Sequence, residues 1–297
     1  MKLLITGASG LYGSKLAQMA LTKNYEVYSS DIQELSVYGN FVKLDISGKA
    51  QVDEAFKTIK PDVVVHAATL TDVDKCELNK ALAWKVNVEG TKNIVEAAKA
   101  TGSFLIYIST DYIFGGETGR YKETDAPNPI NYYGITKLKA EEIVKTQKEY
   151  FIARPSVMYG STPAAGKVNF ALWIIENLRK GGHVKIVTDQ WNTPTLNTNL
   201  AEMTLEVIER KLTGIYHLCG ATRLSRFKFA EQIADVFSLD KSLIDKVLSS
   251  QFTLSAKRPM DSSLDTLKAQ QTMQHKPLEM DMALKQLKFE LSQKDNN

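Results

Sequence analysis

"KLLITGASGLYG", residues 2–13, decides how the rest of the chain is read. A short apolar run ends in three glycines, Gly7, Gly10 and Gly13, and "SKLAQMALTK" then continues with helical periodicity. Glycines between a first strand and a first helix let backbone N–H groups approach a pyrophosphate. The anion then lies at the positive end of the helix dipole. The spacing is GxxGxxG rather than GxGxxG, and a plain tight turn would also use glycines. Position at the head of a βα series favours the dinucleotide reading. It makes Gly7, Gly10, Leu11 and Gly13 the candidate pyrophosphate residues.

The series continues for about 150 residues. Strands are read at "EVYSSD", "NFVKLDI", "DVVVHAA" and "FLIYIST". Helices are read at "AQVDEAFKTIK", across 81–102 in one piece, and at "YYGITKLKAEEIVKTQ", with Ile135, Leu138, Ile143 and Val144 on its buried side. Near-continuous Val/Ile/Leu runs suit parallel strands covered on both faces. The expected fold is α/β: a doubly wound parallel sheet of the Rossmann type with a smaller C-terminal substrate lobe. Residues 1–160 form the dinucleotide-binding domain and 161–297 mainly the substrate-binding lobe. Within 184–220, "VKIVT" and "GIYHLCG" are expected to return to the main sheet. Pro163, Gly166 and Gly181-Gly182 punctuate the second half, and the terminal "SQKDNN" is expected to fray.

The bulk numbers exclude several classes. A net charge of +3 over 297 residues, with scattered lysines, carries no nucleic-acid footprint. No apolar run reaches the roughly 20 residues of a membrane span, and the first residues do not read as a signal peptide. Cys76 and Cys219 share no CxxC pattern, and the four histidines have no ligand spacing, so no metal site is expected. The expected setting is cytoplasmic, and a homodimer is compatible with it.

Asp31 ends the second strand, where a carboxylate accepts hydrogen bonds from ribose hydroxyls and repels a 2′-phosphate. No lysine or arginine adjoins it in sequence, so NAD(H) is favoured, with NADP(H) also admissible. Asp45 and Ile46 close the third strand. Asp45 would face the adenine, or else cap the following helix. Ala67, Ala68 and Thr69 are small enough for the chain to pass close to a cofactor, while His66 reads as packing at a strand end.

Thr110 follows "FLIYIS" at the carboxyl edge of the sheet, where ligands bind in doubly wound folds. Tyr133 and Lys137, one turn apart, share a helix face. A nearby ammonium favours the phenolate, so Lys137 would lower the pKa of Tyr133 and fit it for acid/base work. Tyr132, whose i+4 partner is Thr136, reads as packing. The catalytic candidates are Thr110, Tyr133 and Lys137.

Taken with the glycine turn, this set resembles the extended short-chain dehydrogenase/reductase family. The resemblance implies a Rossmann fold, a nicotinamide cofactor and a Ser/Thr–Tyr–Lys set, with Asn87 matching a helix asparagine that supports proton relay. Longer strings, "LTDVDKCE" (70–77), "STDYIFGG" (109–116), "VTDQWNTPT" (187–195) and "RPMDSSLD" (258–265), resemble the dTDP-4-dehydrorhamnose reductases. Trp191, Asn192 and Gly115 depart from the usual pattern. The resemblance implies reduction of the C4 ketone of a nucleotide-linked deoxysugar, with that nucleotide-sugar as the partner. Two alternatives are a nucleotide-sugar epimerase and a non-catalytic regulatory subunit like that of methionine adenosyltransferase. Substrate candidates are Asp111 and Tyr112 beside Thr110, although Tyr112 is also readable as core. Asn169 and Phe170 are candidates too, or else a helix N-cap and its first apolar residue. Arg258 would face a pyrophosphate, or else form a surface ion pair.

Overall fold

The computed structural model describes residues 1–34, 38–162 and 168–295, so the expected break at Pro163 and Gly166 lies outside the described residues. Seven parallel strands form the central sheet. Six of them are β1 (Lys2–Thr6), β2 (Glu26–Asp31), β3 (Asn40–Lys43), β4 (Val63–His66), β5 (Phe104–Ile108) and β6 (Tyr150–Ala153), with helices between successive strands except β2 and β3 among the described residues. Three short pairs lie outside that sheet: β7 (Met158–Tyr159) with β10 (Thr195–Leu196), β8 (Val184–Val187) with β13 (Ile244–Val247), and β9 (Trp191–Asn192) with β12 (Leu224–Ser225). The last strand of the main sheet is β11 (Gly214–Tyr216), giving the order β11-β6-β5-β4-β1-β2-β3. The order reverses between β1 and β4, which opens a crevice at their carboxyl ends.

Both faces are covered. One packs α1 (Leu11–Thr22) and α8 (Asn197–Arg210) onto Leu3, Ile5, Val65 and Ile106. The other packs α2 (Lys49–Ile59), α5 (Gly90–Thr101) and α6 (Tyr132–Val144) onto Leu4, Val64, Leu105 and Ile152. The second lobe has its own core between α7 (Phe170–Arg179), α9 (Arg226–Phe237) and α11 (Met280–Asp295). Among the described residues no helix is long and apolar enough to cross a membrane.

Four details differ from the sequence reading. "VKIVT" pairs with Ile244–Val247 rather than with the main sheet. Its exposed Lys185 between buried Val184 and Ile186 suits a strand covered on one face, here by α7 and α9. The helix expected across 81–102 runs unbroken from Lys80 to Thr101 but carries a π-helical turn, Lys85–Glu89, between α4 (Lys80–Trp84) and α5, and a separate short helix, α3 (Val73–Leu78), precedes it. Of "SQKDNN", the described residues 292–295 form the last turn of α11, which runs to Asp295. Ile135 is 41% exposed. The buried side of α6 carries Tyr133, Thr136, Lys137 and Glu141 as well as Ala140 and Val144, so polar groups occupy the face where an apolar stripe was expected.

Candidate active site

Each glycine of the opening turn has a separate reason. Gly7 holds φ +73°, and a Cβ there would lie 2.7 Å from the Ala68 backbone nitrogen. Gly10 N–H donates to the Gly7 carbonyl at 3.1 Å. A methyl on Gly13 would overlap the same carbonyl, so the helix can lie this close only with glycine there. α1 then starts at Leu11 with no side chain capping its N–H groups. A cradle that any Cβ would fill, beside an uncapped helix start, fits a pyrophosphate. Ala67, Ala68 and Thr69, all half-buried, form the opposite wall.

Asp31 accepts from Ser9 N at 3.1 Å and Ile32 N at 2.8 Å, which fixes its carboxylate at the strand edge. The sheet adds what sequence adjacency missed: Lys43 stands opposite Asp31 in the β2–β3 register. Asp45 is exposed and bonds Ser47 N at 2.9 Å; the N-cap of α2 is Gly48, so the capping alternative fails. Ile46 is buried against Gly90, and its carbonyl takes Asn93 Nδ2 at 3.0 Å. Asn87 Oδ1 accepts from Thr69 Oγ1 at 2.8 Å and Leu70 N at 2.7 Å, while its Nδ2 donates to Thr136 Oγ1 at 3.0 Å. The π-helical turn thus ties the cofactor wall to α6. His66 is enclosed between Thr6 (2.7 Å) and Thr91 (3.0 Å), and burial, aided by Lys137, pulls it down to about 3. It is a neutral packing residue.

The reacting candidates converge at the end of β5. Asn131 caps α6 by accepting from Gly134 N at 2.8 Å, which fixes the turn that carries Tyr133. Lys137 Nζ donates to the Ile108 carbonyl at 2.7 Å and lies 4.2 Å from the Tyr107 ring centre. Burial brings Lys137 down to about 7, against the opposing pull of Glu141 and Cys76. Burial also raises the Tyr133 phenol, while a hydrogen bond with Thr110 restrains the rise; Asp111, Cys76 and Tyr112 push it further up. The expectation that Lys137 lowers Tyr133 is therefore corrected. Its ammonium is engaged at Ile108, and Tyr133 stays a protonated acid at neutral pH.

The substrate side is rearranged relative to expectation. Asp111 is buried, accepting from Thr110 Oγ1 (3.1 Å), Ser156 Oγ (2.9 Å) and Ser262 Oγ (2.6 Å). It joins three chain segments under the site, and burial raises its pKa against those hydrogen bonds. Tyr112 is half-buried with its ring edge-on to Tyr133 at 6.1 Å. Asn169 takes the N-cap role on α7 (Leu172 N, 3.2 Å), and Phe170 stacks on Phe229 at 5.4 Å. Arg258 is held by Asp74, with Nη2 to Oδ2 at 2.6 Å, so its free-arginine role is corrected to an ion pair between lobes. Burial would raise Asp74, but Arg258 and the Ala256 N–H outweigh it and hold the carboxyl down. Tyr132 packs, with the Lys80 ammonium 5.3 Å from its ring centre.

A family model described as the RmlD substrate binding domain matches residues 1–292. The chain belongs to that family. A dTDP-4-dehydrorhamnose reductase of Aggregatibacter actinomycetemcomitans is 32% identical over 97% of this chain and 98% of its own. A methionine adenosyltransferase 2 subunit beta of Xenopus tropicalis is 29% identical, over 89% of this chain and 80% of its own. Among solved structures, a dTDP-4-dehydrorhamnose reductase of Clostridium acetobutylicum superposes with a TM-score of 0.89 at 34% identity, covering 98% of this chain and 100% of that one. That of Bacillus anthracis, in complex with NADP, has a TM-score of 0.89 at 30% identity, covering 97% and 99%.

Three residues of this RmlD-family chain escaped the sequence reading. Glu141 is fully buried, one turn beyond Lys137; it accepts from Ser109 Oγ (2.6 Å) and takes Arg154 bidentately at 2.9 and 2.7 Å. Lys137 and Glu141 thus grip Ile108 and Ser109, the two residues before Thr110. The signal was faint: a KxxxE spacing, and an arginine ending an apolar strand. The third is Arg226, first residue of α9, whose guanidinium lies 5.2 Å from the Phe170 ring centre.

Proposed function

We propose that this chain reduces the C4 ketone of a nucleotide-linked 4-keto-6-deoxysugar, as in dTDP-rhamnose formation, using a nicotinamide coenzyme. The observation that carries this reading is the meeting of Thr110, a protonated Tyr133 and Lys137 at the β5 edge beside the glycine cradle. NADH or NADPH, held by Gly7, Gly10, Leu11, Gly13 and Asp31, would supply the hydride. Tyr133 gives its phenolic proton to the carbonyl oxygen, so one hydride at carbon and one proton at oxygen complete the alcohol. Thr110, at the end of β5 and acting on the Tyr133 phenol, orients that oxygen. Lys137, hydrogen-bonded to the Ile108 carbonyl, fixes the end of β5 and would hold a ribose hydroxyl of the coenzyme. Asn87 and Thr136 fix α6 against the cofactor wall. Asp31 favours NADH, and Lys43 one strand away supplies a cation for a 2′-phosphate.

The test follows NADH and NADPH oxidation with dTDP-4-dehydrorhamnose, comparing wild type with Tyr133→Phe. The variant is expected to lose on the order of 100- to 10,000-fold in kcat. Absence of turnover with both coenzymes rejects the reductase reading; near-full activity in Tyr133→Phe rejects the role of Tyr133.

A further inference from the structure

Three arginines of the second lobe differ in what they do. Arg258 is spent on Asp74, and Arg223 on Asp261, with Nε to Oδ2 at 2.9 Å and its guanidinium over Trp191. Arg226 makes no ion pair among the described residues, although it is half-buried. One face of its guanidinium lies on Phe170, and Tyr112 feels its charge. Asp111 feels its charge, but both Asp111 oxygens are already taken by Thr110, Ser156 and Ser262.

The residue is well held. β12 pairs antiparallel with β9, Arg226 N–H donates to the Gln190 carbonyl at 2.9 Å, and Ser225 caps α9 through Lys228 N at 3.1 Å. A planar cation stacked on one face keeps its in-plane donors for an acceptor, and diphosphate oxygens match that fork. Position agrees with the chemistry: Tyr112, edge-on to Tyr133 at 6.1 Å, also feels the Arg226 charge, so one side chain links the reacting tyrosine to the cation, as the pyranose ring links C4 to the anomeric phosphate.

We infer that Arg226 receives the diphosphate of the nucleotide-sugar, a specificity role that rests on the reductase reading above. It takes the place that the sequence reading gave to Arg258.

The test measures binding of dTDP, thymidine and NADH to the full chain by calorimetry, for wild type, Arg226→Ala and Arg226→Lys. Loss of a charge-assisted bidentate contact is expected to weaken dTDP about tenfold or more in Arg226→Ala and less in Arg226→Lys. Thymidine and NADH affinities stay unchanged, which also reports an intact fold, and KM for the keto-sugar rises while kcat stays within about twofold. Wild-type dTDP binding with an unchanged Arg226→Ala overturns the Arg226 assignment alone. An equal loss for thymidine overturns it as well. A wild type that binds NADH but not dTDP overturns it together with the nucleotide-sugar reading.

Discussion

Replacing Lys137 with methionine should abolish turnover and yet remove a pH-dependent burden on the fold. Lys137 is fully enclosed, and burial moves it from 10.5 to about 7 despite Glu141 one turn away. Below pH 7 both folded and unfolded chains hold its proton, and the folded chain carries the full cost of burying the charge. Between about pH 7 and 10 the unfolded chain keeps a proton that the folded chain has released. Unfolding then takes up a proton, and stability rises with pH. At about 1.4 kcal/mol per pH unit the whole difference is roughly 4–5 kcal/mol, of which roughly 2–2.5 kcal/mol falls between pH 7 and 9, because the folded lysine is only half titrated at pH 7. The groups facing Lys137 are Glu141 on its own helix, Cys76 from α3, and His66 and Tyr107 from the sheet. None of these is altered in Lys137→Met, so the difference between the two proteins isolates the lysine. Urea unfolding of coenzyme-free wild type and variant at pH 6, 7, 8 and 9 measures it. Wild type should gain on the variant across pH 7–9. Parallel curves, within about 1 kcal/mol, would refute the reasoning.

The buried Arg154–Glu141 pair makes a second prediction: Arg154→Met strands a charge and costs about 3–5 kcal/mol by chemical denaturation. The double variant Glu141→Met/Arg154→Met should recover at least half of that, and strictly additive losses would contradict the pair's coupling. Gly13→Ala should displace the opening turn, with NADH affinity falling about tenfold or more and a stability loss of about 1–3 kcal/mol. Gly102→Ala, at φ +69° with open space around it, should cost about 1 kcal/mol and leave NADH binding untouched. Asp31→Ala should move the NADPH/NADH ratio of kcat/KM about tenfold toward NADPH, read from initial rates with each coenzyme.

What the sequence determined by itself was local. The strand–glycine–helix opening, the hydrophobic runs of β4 and β5 and the one-turn spacing of Tyr133 and Lys137 depend on backbone geometry within a few residues. They carried the doubly wound fold and named the candidates that meet at the end of β5. Tertiary structure decided everything that depended on distant groups meeting. Arg258 is bound by Asp74, 184 residues away, while Arg226 is left for a ligand. α6 buries Tyr133, Lys137 and Glu141 because part of its inner face meets the end of β5, while Ala140 and Val144 join the hydrophobic core. Lys43 comes to stand opposite Asp31 only through strand register. The protonation states were out of reach for the same reason. A spacing of four residues places Lys137 beside Tyr133, but desolvation, the Ile108 carbonyl and Glu141 set which of them holds a proton, and those surroundings exist only once the chain has folded.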